Sequence, residues 1–379
     1  MAASRDFGQA NMSLVYLHIG LPKTGTSALQ VFFAKNASAF DAAGVRYVWS
    51  SAQVGAKNLI SSGNGLKFAR EAAEQGIEKA PTSVGLAGLM SASKTPILLS
   101  SEFFAAWTPE IYRDFAKLCG DHGFKVRVVA YLKEQSAIMV GHYFQQLKRS
   151  PNVGPEGIDF ARFAQQYLQA RRYLDFERLL GELADIYGRD MVTAHSTRPT
   201  MLNGSLLNDF MGVIGITESG SFNFKIPRIN LTPRQPEMYM RSIWNKFSPS
   251  VPFSDMYLEM LDRYYLTTRQ QDSEPNYFVD QKVVSDFRAH FCESNKRVCR
   301  DWFGGRTPEE VFEYKDYPPI VKFGYDNTDL ESIIAVMGGL IVALSNRIDT
   351  LEGRKRGVAR LSPIVTALLN RPNKKTEAV

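Results

Sequence analysis

A chain of 379 residues can bury one large α/β core with appendages, or two smaller domains. Its formal charge of +6 is uneven: from Glu352 onward seven basic residues stand against two acidic ones, so the body is nearly neutral, which excludes a body-wide basic surface for a nucleic-acid polymer. Cys119, Cys292 and Cys299 show no metal or redox spacing and argue for a reducing compartment, and residues 1–11 are polar with no signal peptide, so the expected location is cytoplasmic and no metal is expected.

In chain order, residues 13–19 read as a short apolar strand, and a glycine-containing loop over 18–27 leads into helical spacing at 28–35. Residues 45–49 are a second strand candidate. The stretch 57–92 reads as largely helical, with a flexible loop at 61–65. Strands are expected at 95–100 and 124–132, a loop at 150–157, and then helices broken by a short strand at 191–194. This alternation predicts an α/β fold, a P-loop-type parallel sheet flanked by helices, whose ligands gather at the carboxyl ends of its strands. Phe104 and Trp107 are candidates for lining an acceptor cleft, and Cys292 and Cys299, seven apart on one helix, read as buried small residues.

The loop carries the most chemistry. A strand, a tight glycine turn and a helix N-terminus converge backbone N–H groups and the positive end of the helix dipole on one point. Gly20 and Gly25 keep the G-x-x-x-x-G spacing of a nucleotide loop, but Thr26 stands where its lysine belongs, and the lysine has moved inside the loop, to Lys23. From there an ammonium is better placed for the bridging oxygen of a shorter anion than for the γ-phosphate of a triphosphate.

Pro22-Lys23-Thr24-Gly25-Thr26-Ser27, between its strand and helix, resembles the 5′-phosphosulfate loop of sulfotransferases that use 3′-phosphoadenosine 5′-phosphosulfate (PAPS), of the bacterial, glycan-directed kind. The likeness extends over about residues 12–315 through Glu102 after 97–101, the segment 131–143, the segments 186–190 and 204–216, Asn230-Leu231-Thr232-Pro233, and 294–304. The resemblance implies sulfuryl transfer from PAPS to a hydroxyl or amine of a carbohydrate acceptor. Lys23 would stabilise the leaving oxygen, and Glu102 would be the base. Thr24, Gly25, Thr26 and Ser27 would hold the 5′-phosphate through backbone N–H groups and hydroxyls.

The family's 3′-phosphate arginine and serine correspond to Lys133 and Gly141 here, with Tyr143 retained. His142 and Lys148 are candidate replacement donors, and His195 stands where another family arginine is common. Two other readings stay open: a non-catalytic sulfotransferase-like scaffold, suggested by Lys133 and Gly141, and a P-loop small-molecule kinase, disfavoured by Thr26. The expected domains are 1–315 and a helical C-terminal extension at 316–379. Apolar residues over 330–351 follow a coiled-coil a/d pattern and suggest a homo-oligomer, and the basic tail suggests peripheral membrane contact.

Overall fold

The computed structural model describes residues 12–48, 63–147, 150, 153, 158–217, 220–226, 238, 276–320 and 337. Its first strand, β1 (Ser13–Ile19), is followed by α1 (Thr26–Lys35), α2 (Ala37–Ala42) and the two-residue β2 (Arg46–Tyr47). Helices α3 (Leu66–Gln75) and α4 (Pro81–Ala92) lead to β3 (Ile97–Ser101), which runs straight into a 3-10 turn at Glu102–Ala106. Then come α5 (Pro109–Asp121), β4 (Phe124–Leu132), α6 (Gln135–Leu147) and α7 (Phe160–Ala170). A 3-10 turn at Arg172–Leu174 precedes α8 (Phe176–Tyr187), β5 (Val192–Ser196) and α9 (Leu206–Val213). After these lie α10 (Gln281–Trp302) and α11 (Pro308–Val311).

The sheet is five-stranded, in the order β2-β3-β1-β4-β5, and every pair is parallel. Helices flank it, so its central strands are covered on both faces and read as nearly continuous apolar runs. In β3 all five residues are buried. The chain passes from β3 to β4 across β1, so the loop leaving β1 sits at the switch point where an open parallel sheet forms a crevice. Register places the pieces: Ile19 pairs with Ser101, and Gly20 N–H donates to the Ser101 carbonyl at 3.0 Å. The β1 loop and Glu102 therefore emerge side by side.

The core beside α1 is aromatic, built from Phe32, Phe33, Phe40, Tyr47, Tyr131 and Phe210. A second aromatic group joins Phe68, Phe104, Trp107, Tyr112 and Phe115, with the Phe104 and Trp107 rings 4.7 Å apart. Phe104 and Trp107 are thus core residues rather than the lining of a cleft. Trp107 donates its indole N–H to the Ala69 carbonyl at 2.9 Å, and the Phe104 carbonyl accepts from the Tyr112 hydroxyl at 2.6 Å. These bonds satisfy the polar ends of two large buried side chains.

Two smaller expectations change. The loop at 61–65 is described from Gly63 onward, and there it is tied down. The Asn64 amide donates to the Val48 and Leu98 carbonyls and accepts from Ser100 N–H at 2.8 Å, so one side chain continues the β3 edge where β2 stops. Strand edges need such partners, and Gly63 is required because a Cβ there would lie 1.9 Å from the Ser100 carbonyl oxygen. In α10 the buried stripe runs Val284, Phe287, Phe291, Asn295 and Val298. Cys299 joins it at the last turn, while Cys292 falls on the solvent flank.

The chain divides into two compact units, one of residues 1–142, 164–231 and 284–316, the other of 143–163, 232–283 and 317–379. The first holds the sheet. In the second, the Tyr143 ring packs 5.2 Å from both Phe160 and Phe163. The Asn276 amide there donates to the Val279 and Pro318 carbonyls at 2.6 Å each. The a/d stretch 330–351, Met337 apart, and the basic tail lie outside the described residues, as do Lys148 and Asn230–Pro233. Among the described residues no helix is long and apolar enough to cross a membrane.

Candidate functional site

The loop after β1 is held by its own side chains. The Thr24 and Thr26 hydroxyls both donate to the Leu21 carbonyl, at 2.6 and 3.1 Å. A Cβ on Gly20 would lie 2.4 Å from the Thr26 methyl, so only glycine lets the loop fold back on α1. Gly25 caps α1 with φ of 85° and no side-chain cap bond, and a Cβ there would meet Leu206 of α9 at 2.4 Å. The first turn of α1 carries no acidic residue. A helix start capped by bare backbone keeps its N–H groups and its positive dipole end directed at the crevice.

Lys23 is, among the described residues, the one residue other than glycine with a positive φ, 64°. A side chain in the left-handed region costs on the order of 1 kcal/mol. The surrounding loop bonds hold it there, and the turn carries its stem toward α6. A Cβ built on Gly141 would lie 3.1 to 3.4 Å from Lys23 Cγ, Cδ and Cε, so the lysine stem runs over the bare backbone of Gly141.

Glu102 opens the 3-10 turn at the end of β3, where Ser101 Oγ caps the turn by accepting from Phe103 N–H at 3.2 Å. Its carboxyl is half-buried. Burial pushes its pKa above the ordinary glutamate value, and the positive charge of Lys23 opposes that rise. The structure therefore brings together Lys23, Glu102 and Gly141, three sequence-predicted positions from three separate segments. The neighbouring Phe103 is not a second lysine but lies under the Arg70 guanidinium, 4.5 Å from its ring centre.

Three residues complete this corner. The Tyr167 hydroxyl lies 2.7 Å from His142 Nδ1 and 2.8 Å from the Tyr173 hydroxyl. Tyr173 belongs to the Arg172–Leu174 turn, which packs against the Glu102–Ala106 turn. Burial, then the charges of Lys23 and Arg171, hold the His142 pKa down to about 4. Burial raises both tyrosines, and the Glu102 charge adds to the rise. His142 was visible in the sequence beside Gly141. Tyr167 and Tyr173 carried no sequence signal, since a helix and a turn bring them in.

Lys133 has different company. It follows β4 directly and is half-buried; burial lowers its pKa, opposed by the charges of Glu313 and Glu134. Glu134 is itself fully engaged, accepting from Ser136 and Ala137 N–H at 2.9 and 3.0 Å with Arg288 at 3.8 Å. The charges that act on Lys133 are those of Glu313, Glu134 and Lys315, and none of the groups around Lys23 is among them. His195 likewise pairs inward: its Nδ1 is 2.9 Å from Asp209, which also accepts from the Tyr131 hydroxyl at 2.7 Å. Burial alone would raise Asp209, but the bonds from His195, Tyr131 and Asn203 N–H outweigh it and hold the carboxyl below its ordinary value.

Among the described residues no three His, Cys, Asp or Glu side chains gather as a metal site. No protein-family model matches the chain, and no curated protein or solved structure matches it either. What the corner offers chemically is an anion-receptive helix start, a lysine beside it, and a carboxyl of raised basicity within reach of that lysine's charge.

Proposed function

We propose that this chain is a sulfotransferase that moves a sulfuryl group from PAPS to a hydroxyl or amine of a carbohydrate acceptor, with the β1–α1 loop as its phosphate loop. One observation carries the reading: a left-handed turn sets Lys23 beside Glu102, at the switch point of a parallel sheet. Group transfer from a phosphosulfate needs a cation at the leaving oxygen and a base at the attacking one, and this corner supplies one of each.

The residues fit the donor. Thr24, Gly25, Thr26 and Ser27 would hold the 5′-phosphate through backbone N–H groups. With the Thr24 and Thr26 hydroxyls engaged on Leu21, Ser27 contributes the remaining hydroxyl. The bound donor supplies the sulfuryl group and a phosphate leaving group. Lys23, a compact charge on a flexible stem, follows the bridging oxygen as negative charge grows there. Glu102 accepts the acceptor's proton, and its raised pKa makes it the stronger base. The 3′-phosphate would fall to Lys133, whereas Gly141 lies under the Lys23 stem at the other corner. The same reading places the protein in the cytoplasm, with residues 330–351 joining copies and the basic tail touching a membrane surface.

A second reading has one observation in its favour. Burial, opposed by the charges of Glu313 and Glu134, lowers the Lys133 pKa, and a lysine that holds its proton less firmly is a weaker phosphate donor, which suits a scaffold that has lost the nucleotide. Calorimetric titration of the full chain with 3′-phosphoadenosine 5′-phosphate (PAP) separates the readings. Metal-free PAP binding together with sulfate transfer to a glycan acceptor supports the enzyme. Binding of ATP with magnesium, and not of PAP, would support a kinase. No nucleotide binding at all would support the scaffold.

A further inference from the structure

The corner beside Lys23 holds a hydrogen-bonded chain that neither Lys23 nor Glu102 requires. Tyr167 on α7 places its hydroxyl between His142 Nδ1, at 2.7 Å, and the Tyr173 hydroxyl, at 2.8 Å. The His142 and Tyr167 rings also meet edge to face at 5.2 Å, which fixes the plane of the imidazole. Both ends of the chain are anchored: His142 follows Gly141, over which the Lys23 stem lies, and Tyr173 sits on the turn packed against the Glu102 turn.

The proton order follows from elementary donor and acceptor rules. A neutral imidazole has one nitrogen that donates and one that accepts, and a phenol has a single proton. A separation of 2.7 Å fits the order in which Tyr167 donates to Nδ1. In that order Tyr173 donates to the Tyr167 oxygen, and the imidazole hydrogen stands on Nε2. The surroundings favour the neutral ring: burial first, and then the positive charges of Lys23 and Arg171, oppose a charge on His142.

We infer that Tyr167 and Tyr173 hold His142 as the neutral Nε2–H tautomer, and that this N–H is a donor, beside Lys23, to an oxygen of a sulfate- or phosphate-type anion in the corner. The identity of that anion as a transferring sulfuryl group rests on the sulfotransferase reading; the tautomer and the anion contact do not. In this role His142 adds hydrogen-bonding capacity without adding charge. It recognises the oxygens of the anion while Lys23 meets the charge. Tyr167 and Tyr173 are positioning residues, acting through the ring.

The test uses the full chain with 15N-labelled histidine, the His142 signals being assigned by their loss in His142→Gln. The ring nitrogens of wild type should report the Nε2–H tautomer from pH 5.5 to 8, and titration with inorganic sulfate should shift the Nε2 signal. Tyr167→Phe should convert the ring to a tautomer mixture and raise its titration midpoint toward that of an ordinary histidine. If wild type shows the Nδ1–H tautomer, or if sulfate leaves Nε2 unmoved, the inference is overturned. In the transfer assay, His142→Gln should lose about tenfold or more in turnover while PAP affinity changes less than about threefold. Unchanged turnover in that variant would refute the contact during transfer. Failure of wild type to bind PAP or transfer sulfate would refute the sulfotransferase reading alone, because the tautomer and the sulfate shift decide the inference without it.

Discussion

Two lysines stand near the carboxyl ends of neighbouring strands, and their surroundings differ in kind. Lys23, after β1, runs over a glycine toward a half-buried glutamate, a neutral histidine and two phenols. Lys133, after β4, is set among Glu134, Glu313 and Lys315, with Arg288 bridging Glu134 and Asp316. The first corner is costly to build: a side chain at positive φ, glycines at close approaches, and a carboxyl whose pKa burial has raised. The second holds a lysine whose pKa burial lowers, opposed by the charges of Glu313 and Glu134, on backbone with no left-handed side chain. Strain and perturbed ionisation gather where chemistry is done, whereas compensated charge holds structure together.

The sharpest way to break this contrast is to remove the first lysine. Lys23→Ala should abolish measurable transfer, a loss of roughly 10³-fold or more, because the charge meets the leaving oxygen chiefly in the transition state. The fold should survive: alanine keeps the same Cβ at the left-handed position, so the thermal midpoint seen by scanning calorimetry should be nearly unchanged. Wild-type turnover in the purified variant would sink the leaving-group role.

Glu102→Gln comes next, at roughly 10²-fold in turnover with PAP affinity little changed. The pH profile adds a signed prediction. A base works deprotonated, so turnover should fall as pH drops through the Glu102 pKa, and burial places that limb above the ordinary glutamate range. In Lys23→Met, if residual turnover is measurable, the limb should move higher still, since the opposing positive charge is gone. A limb at or below the ordinary value would point to a structural glutamate.

Gly141→Ser is the intermediate case. A serine at this position would add one hydroxyl, but the added Cβ would press on the Lys23 stem at 3.1 Å. A shift of the ammonium by a few tenths of an ångström should lower turnover by roughly tenfold, since reacting groups tolerate little misplacement. Crystal structures of variant and wild type would show whether the stem has moved. Unchanged turnover would mean that Lys23 has room to spare.

Much of the fold was legible because a doubly covered parallel sheet writes its strands as apolar runs. Residues 13–19, 95–100 and 124–132 fell within a few residues of β1, β3 and β4. The loop was legible because glycine spacing and the displaced Lys23 are local features. What was not legible comes from distance in the chain. Tyr167 and Tyr173 join His142 only because α7 and the following turn return to the same corner. Phe104 and Trp107 follow Glu102 in sequence, yet the 3-10 turn sends them into the aromatic core while Glu102 stays at the crevice. Asn64 looked like loop composition because a side chain standing in for a strand leaves no periodic signal.

The smallest effect is expected at the second lysine, and it is the one that tests the comparison from the other side. Lys133→Gln removes a half-buried ammonium on which the charges of Glu313 and Glu134 act. Glu134 keeps its two backbone donors and Arg288, so the cluster does not collapse into an unpaired buried carboxylate. Glu313 is exposed, and water replaces the lost partner. Stability should change by less than about 1 kcal/mol, as for other solvent-accessible ion pairs. PAP affinity should fall by only about threefold, because the nearby charges of Glu313 and Glu134 offset much of the pull of Lys133 on a phosphate. Calorimetric titration of wild type and Lys133→Gln reads both the affinity and its dependence on salt. A loss beyond about thirtyfold, or about 2 kcal/mol, would show that Lys133 meets the 3′-phosphate directly. The two corners would then be two halves of one donor site, and the contrast between them would describe only the unliganded protein.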